Sequence, residues 1–181
     1  MNTKSMQMAA GAAISLIFLG GVALAAQDRY TVKVPDGLAF SEFKGYESWT
    51  EVAPSVTESS VKSILANPIM MSAYKNGVPG NGKPFPEGSK IVKIEWLKAK
   101  SSESPYFVEV PTTLKTVSFI EKDSKRFPDT HGWAYAQFAY DPATETFSPA
   151  APLSATGHNC GYACHSAVAG HDYIFTAYPK R

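Results

Sequence analysis

Cysteine is nearly absent from this chain: only Cys160 and Cys164 occur in 181 residues, so at most one disulfide can form. Charge of one sign is also missing. Seventeen lysines and arginines stand against 16 aspartates and glutamates, a formal net charge of +1. That balance removes the electrostatic case for a nucleic-acid partner or a charged membrane surface. There is no internal repeat and no low-complexity block, and after residue 24 no apolar run is long enough to cross a bilayer. The apolar share, 44%, is ordinary for a globular protein.

The two cysteines are not scattered. Residues 158–165 read His-Asn-Cys-Gly-Tyr-Ala-Cys-His, so Cys160 and Cys164 are followed at once by His165. Two thiols and an adjacent histidine are how a c-type haem is tethered: the thiols add to the haem vinyl groups and the imidazole reaches the iron. The usual spacing leaves two residues between the cysteines, and here there are three, Gly161, Tyr162 and Ala163. Other chemistries can use the same residues. A Cys160–Cys164 disulfide would close a loop of about five residues, worth roughly 2 kcal/mol on the chain-entropy view. Zinc would need four ligands around a tetrahedron. His158, Cys160, Cys164 and His165 have that chemistry but crowd into eight residues. Free thiols beside a chance histidine are the remaining alternative.

The chain begins as an export signal is expected to begin. Lys4 supplies a basic start, Ala9 to Leu24 is nearly all apolar and small, and Ala23-Leu24-Ala25 fits the small-x-small cleavage rule. Residues 1–25 are therefore expected to be a cleaved secretory signal, with an uncleaved membrane anchor as the alternative, and 26–181 a single domain with a periplasmic or secreted location. Covalent haem attachment of this type also belongs outside the cytoplasm. No membrane association is expected once the signal is removed.

Within the mature chain, Tyr30 to Pro54 reads as irregular and then helical, with Val34-Pro35-Asp36-Gly37 as a turn. Asn67-Pro68 predicts the start of a helix carrying Ile69, Met70, Ala73 and Tyr74, with Gly77 at its end. Val61 to Leu65 fits either a strand or a helical turn. Gly77 to Gly88, with four glycines and three prolines, predicts a loop. Ile91 to Trp96 predicts a strand with Val92, Ile94 and Trp96 on one face and Ile91, Lys93 and Glu95 on the other. The Lys93 face is either solvated or the wall of a cofactor pocket. Tyr106–Val110 and Lys115–Glu121 predict two further strands. Trp133–Tyr140 predicts another, whose Trp133, Tyr135 and Gln137 face could pack on a flat ring. Asp141 to Thr156 predicts loop, and Tyr173–Tyr178 a closing strand. Strands close in sequence with few helices between them predict an α+β fold: an antiparallel, about five-stranded sheet with a few helices and a C-terminal haem-attachment segment.

Four segments in this order resemble the cytochrome P-460 family. They are Phe85-Pro86-Glu87-Gly88 leading into Ile91-Val92-Lys93; Lys125-Arg126-Phe127-Pro128-Asp129-Thr130 with Gly132-Trp133; the cysteine–histidine stretch; and Asp172-Tyr173-Ile174-Phe175-Thr176 with Tyr178. The resemblance covers nearly the whole mature chain. It implies a small periplasmic protein with one haem c and its iron, an antiparallel five-stranded sheet and a homodimer. The family includes enzymes that oxidise hydroxylamine, and the cytochromes c′-beta, which bind nitric oxide without such turnover. The implied partners are a small nitrogen compound or gas ligand and a soluble electron-acceptor cytochrome.

Carried onto this chain, the resemblance implies thioethers at Cys160 and Cys164 and an axial ligand at His165. It also implies a lysine bonded to the porphyrin edge, for which Lys93 is the candidate and Lys90 a near neighbour. The family's enzymes use a distal carboxylate, and none stands near Ser118, where it would be expected. Glu95 or Glu121 could substitute, and Glu95 shares the Lys93 face. Arg126, one of three arginines, could pair with a haem propionate, whose planar carboxylate suits a guanidinium fork. His131 and His171 read as surface or loop histidines, and His158 as a local neighbour of the iron ligand. Trp96, Phe107 and Trp133 could wall the pocket or sit in the core.

Overall fold

A computed structural model describes residues 26–150 and 157–181, with the side chains of 157–160 excepted. The expected signal at residues 1–25 lies outside the described residues. The sheet has six strands, one more than expected: β1 (Thr50–Val56), β2 (Ser60–Ala66), β3 (Lys90–Lys100), β4 (Glu109–Lys122), β5 (Trp133–Asp141) and β6 (Thr146–Pro149). All neighbours pair antiparallel, in the order β1-β2-β3-β4-β5-β6. With the short helices α1 (Pro68–Lys75) and α2 (Gly157–His165), the fold is α+β.

The two edge strands were not expected from sequence, for a physical reason. β1 contains Pro54 and a bulge between Glu51 and Ala53, both of which edge strands tolerate and which blur a period-two pattern. β6 is only four residues long, inside a stretch rich in Pro, Ala and Thr. The two strands expected at 106–110 and 115–121 are largely one, β4, while Tyr106 and Phe107 precede it and are exposed. The tail Tyr173–Tyr178 forms no strand. Asp172 and Tyr173 both have left-handed backbones, φ 50° and 63°, which turn the chain out of any ladder.

Alternation along the central strands divides the sheet into two faces. On one, Leu65, Val92, Val117, Phe119 and Phe138 meet Phe40 and Phe43 from the 3-10 turn Phe40–Phe43. Phe43 stacks on Phe119 with centroids 4.2 Å apart, and Phe40 meets the same ring edge-on at 4.9 Å. Each such buried aromatic contributes about 1.5–3 kcal/mol through area alone. On the other face, Ala66, Ile91, Trp133 and Tyr135 meet Met70, Met71 and Tyr74 of α1, with Phe85 and Ile174.

α1 begins as the sequence predicts. The Asn67 carboxamide oxygen accepts from the Met70 N–H at 3.0 Å, Pro68 occupies the first turn, and Gly77 turns the chain away at φ 87°. Asn67 also reaches the sheet, donating to the Gly88 carbonyl and accepting from the Lys90 N–H. α1 thus covers one end of the second face. α2 and the C-terminal tail cover the other end, leaving a cavity between them and the sheet.

Candidate active site

α2 carries Cys160 and Cys164 one helical turn apart, with His165 as its last residue. The three-residue gap places the two cysteines at positions i and i+4 of this helix. Gly161 lies against β5 so closely that a Cβ there would stand 2.2 Å from the Tyr135 Cβ and 2.3 Å from its Cγ. Glycine is therefore what allows the helix to sit directly on the Tyr135 ring.

The His165 ring is held on several sides. Its Nδ1 lies 2.6 Å from the Tyr173 carbonyl oxygen. A carbonyl can only accept, so Nδ1 carries the proton and Nε2 presents its lone pair. The ring packs against Tyr135 with centroids 4.6 Å apart and meets Phe175 edge-on at 4.9 Å. Burial lowers the imidazole's affinity for a second proton, and the nearby Lys93 cation adds to this, while the Tyr173 hydrogen bond opposes it. The balance leaves a neutral imidazole, the form that binds a metal.

His165 and Cys164 look into a cavity of about 470 Å³. Its opposite wall is the second face of the sheet, and the register explains which side chains reach it. Lys93 pairs with Ile64 on one side and Ser118 on the other, and Ser118 pairs with Gln137. All four line the cavity, as do Lys62 and Ile91. Of the Lys93 face, Ile91 and Lys93 thus reach the cavity and Glu95 does not. Burial lowers the Lys93 pKa from its ordinary value, with Lys62 adding to the effect and Glu95 opposing it. The Ser118 hydroxyl oxygen is buried with no hydrogen-bond partner among the described residues.

The remaining candidates lie elsewhere. Glu95 shares the Lys93 face but sits towards the hairpin end, outside the cavity lining, and pairs with Lys115 at 3.3 Å. Burial works against its charge, yet hydrogen bonds from Ser60 and Lys115 and the nearby lysines hold its pKa below the ordinary value. Glu121 belongs to the opposite face, where it pairs with Lys90 at 3.1 Å, and burial raises its pKa. Arg126 is also outside the cavity lining: its guanidinium is bonded to Glu42 at 2.6 Å. Trp133 is fully buried core, and Phe107 is exposed. His131 stacks on Tyr173 with centroids 5.1 Å apart, and His171 is exposed. Cys164 is an exposed free thiol. The side chains of His158 and Cys160 lie outside those described.

Sequence reasoning overlooked Asp172. One carboxylate oxygen accepts from the Lys122 Nζ at 2.7 Å and from the Phe85 N–H at 2.7 Å. The other accepts from the Trp133 Nε1 at 3.3 Å. The Lys122–Asp172 pair is nearly dry, with side-chain exposures of 8% and 13%. Its only sequence signal was membership of the Asp172–Thr176 segment, since nothing local relates it to residues 85, 122 and 133.

These residues fit a haem. The donor set is a neutral imidazole with Nδ1 already committed, a thiol on the same helix, and a cavity whose lining is mainly apolar with isolated polar groups. Among the described residues no three His, Cys, Asp or Glu side chains converge as a separate metal site. A family model described as Cytochrome P460 matches residues 43–176. No curated protein matches the chain.

Proposed function

Because the chain belongs to the cytochrome P460 family, and is thus a haem-iron cytochrome, we propose that it carries one haem c and binds small nitrogen compounds such as nitric oxide or hydroxylamine. Cys160 and Cys164 would hold the haem, and His165 its iron. The convergence of Cys164, His165 and Lys93 on one cavity carries this reading. Bound haem would supply the redox change of its iron and an open coordination position.

The chain's own residues do the rest. The Tyr173 carbonyl fixes the His165 tautomer, and Tyr135 and Phe175 fix the ring plane. Ile64, Ile91 and Ile120 keep the cavity wall apolar, while Lys93, Ser118 and Gln137 provide polar groups for a small ligand. Among the described residues no Asp or Glu lines the cavity, which favours binding over turnover. A second reading, oxidation of hydroxylamine, has one observation in its favour. Lys93 is a partly desolvated amine with no hydrogen bond or ion pair among the described residues, suited to accept a proton when neutral. Turnover would also require a soluble electron-acceptor cytochrome. Export through the leading 25 residues, maturation in the periplasm and pairing of two copies belong to the same proposal.

The test is an absorption spectrum of exported protein, oxidised and reduced, beside a denatured pyridine haemochrome. Covalent haem with a reduced spectrum that responds to nitric oxide is the expected result. A matured sample without haem would overturn both readings. A strongly red-shifted reduced band that disappears in Lys93→Ala would mean that Lys93 is bonded to the porphyrin edge, and hydroxylamine turnover would then be measured.

A further inference from the structure

We infer that Asp172 is a positioning residue for the iron ligand: clamped to the sheet by Lys122, Trp133 and Phe85, it holds the Tyr173 carbonyl where it fixes His165. The inference rests on His165 being the haem ligand.

The chain of contacts is continuous. Lys122 ends β4 and Trp133 begins β5, and the two residues are paired across the ladder. Both donate to Asp172, as does the Phe85 N–H from the loop before β3. The next residue, Tyr173, gives its carbonyl to His165 at 2.6 Å. Both residues of this corner have left-handed backbones, φ 50° at Asp172 and 63° at Tyr173. Asparagine and aspartate tolerate that region, but tyrosine seldom adopts it. Something outside the corner must therefore stabilise it. Backbone bonds from Asp172 to Ala169 and from Tyr173 to Val168 contribute. The carboxylate hydrogen-bonds the corner to the ends of β4 and β5, beside the packing of Ile174 against the same sheet face. The Lys122 ammonium also lies 5.1 Å over the Trp133 ring, so cation, indole and carboxylate form one buried unit.

A histidine that donates from Nδ1 is a stronger donor through Nε2, and loss of such an outer partner characteristically weakens metal binding 10–100-fold. Weaker donation stabilises ferric iron less and raises the reduction potential.

The test uses Asp172→Asn and Lys122→Gln in two forms of the full chain. In the haem-free form, obtained with Cys160→Ala and Cys164→Ala, nitrogen NMR reads the His165 tautomer. Wild type is expected to hold its proton on Nδ1, and the variants to show a mixture with Nε2–H. In the haem-bearing form, the iron–histidine stretching frequency is expected to fall and the reduction potential to rise. Glu42→Gln, which disrupts a remote ion pair, is expected to change none of these signals. A variant that folds, loses stability and keeps the wild-type tautomer and stretching frequency would reduce Asp172 to a structural residue and overturn the inference. Failure of haem attachment would remove the iron signals but leave the NMR result readable, which separates this inference from the haem reading.

Discussion

Lys93 and Ser118 stand opposite one another on β3 and β4, and both line the cavity that His165 faces. One is a partly desolvated amine and the other a buried hydroxyl oxygen without a partner among the described residues. Ser118→Glu would place a carboxylate beside the amine. If hydroxylamine oxidation is limited by proton removal, Ser118→Glu raises it by about 10²-fold or more, and Lys93→Ala lowers any basal rate by a similar factor. Steady-state assays with an artificial electron acceptor check both, with haem content measured alongside.

The same lysine should reduce stability in the haem-free chain. Its folded pKa lies below the ordinary 10.5 because burial disfavours the charge. Between the folded and unfolded values the unfolded chain binds more protons, so stability rises with pH across that window. Below it the full penalty remains. Lys93→Met is therefore expected to raise the urea midpoint at pH 7, with the difference shrinking as pH approaches 10.5. Urea titrations at several pH values measure this.

Gly161→Ala should disturb the seat of α2. The added methyl would lie 2.2 Å from the Tyr135 Cβ, closer than carbon atoms can approach, so the helix or the ring must move. Overpacking of this kind costs about 1–3 kcal/mol. Chemical denaturation should show that loss, and the yield of haem-bearing protein should fall with it.

Arg126→Ala should leave the haem signals unchanged. The guanidinium is partly exposed and bonded to Glu42, outside the cavity lining. Exposed pairs contribute about 0–1 kcal/mol. A haemochrome assay and a melting curve test this, and a drop in haem retention would instead connect Arg126 to the cofactor.

The extent to which these features were legible in sequence depends on how local their causes are. Alternation in Ile91–Trp96 and Trp133–Tyr140 sufficed to put Lys93, Tyr135 and Gln137 on cavity-facing positions, because period two is a property of the strand itself. The Asn67–Pro68 helix start was equally local. The edge strands carry little sequence signal because Pro54 and the shortness of β6 weaken the pattern. Tyr173–Tyr178 has strand-like composition, yet its path is set by Asp172 and its distant partners Phe85, Lys122 and Trp133. Arg126 stands out in the sequence only as one of three arginines. Its partner Glu42 lies 84 positions away, beyond any local signal.

The two-faced sheet has an implication for how such a protein can diverge. Phe119 and Val117 face the aromatic core, while their immediate neighbours Ser118 and Ile120 face the cavity. Chemistry and foldability are thus written on alternate letters of the same strand. A descendant could exchange Ser118, Gln137 or Lys62 and acquire a different ligand preference while every core side chain stayed in place. Innovation at the site would then proceed by single substitutions, without passing through an unfolded ancestor.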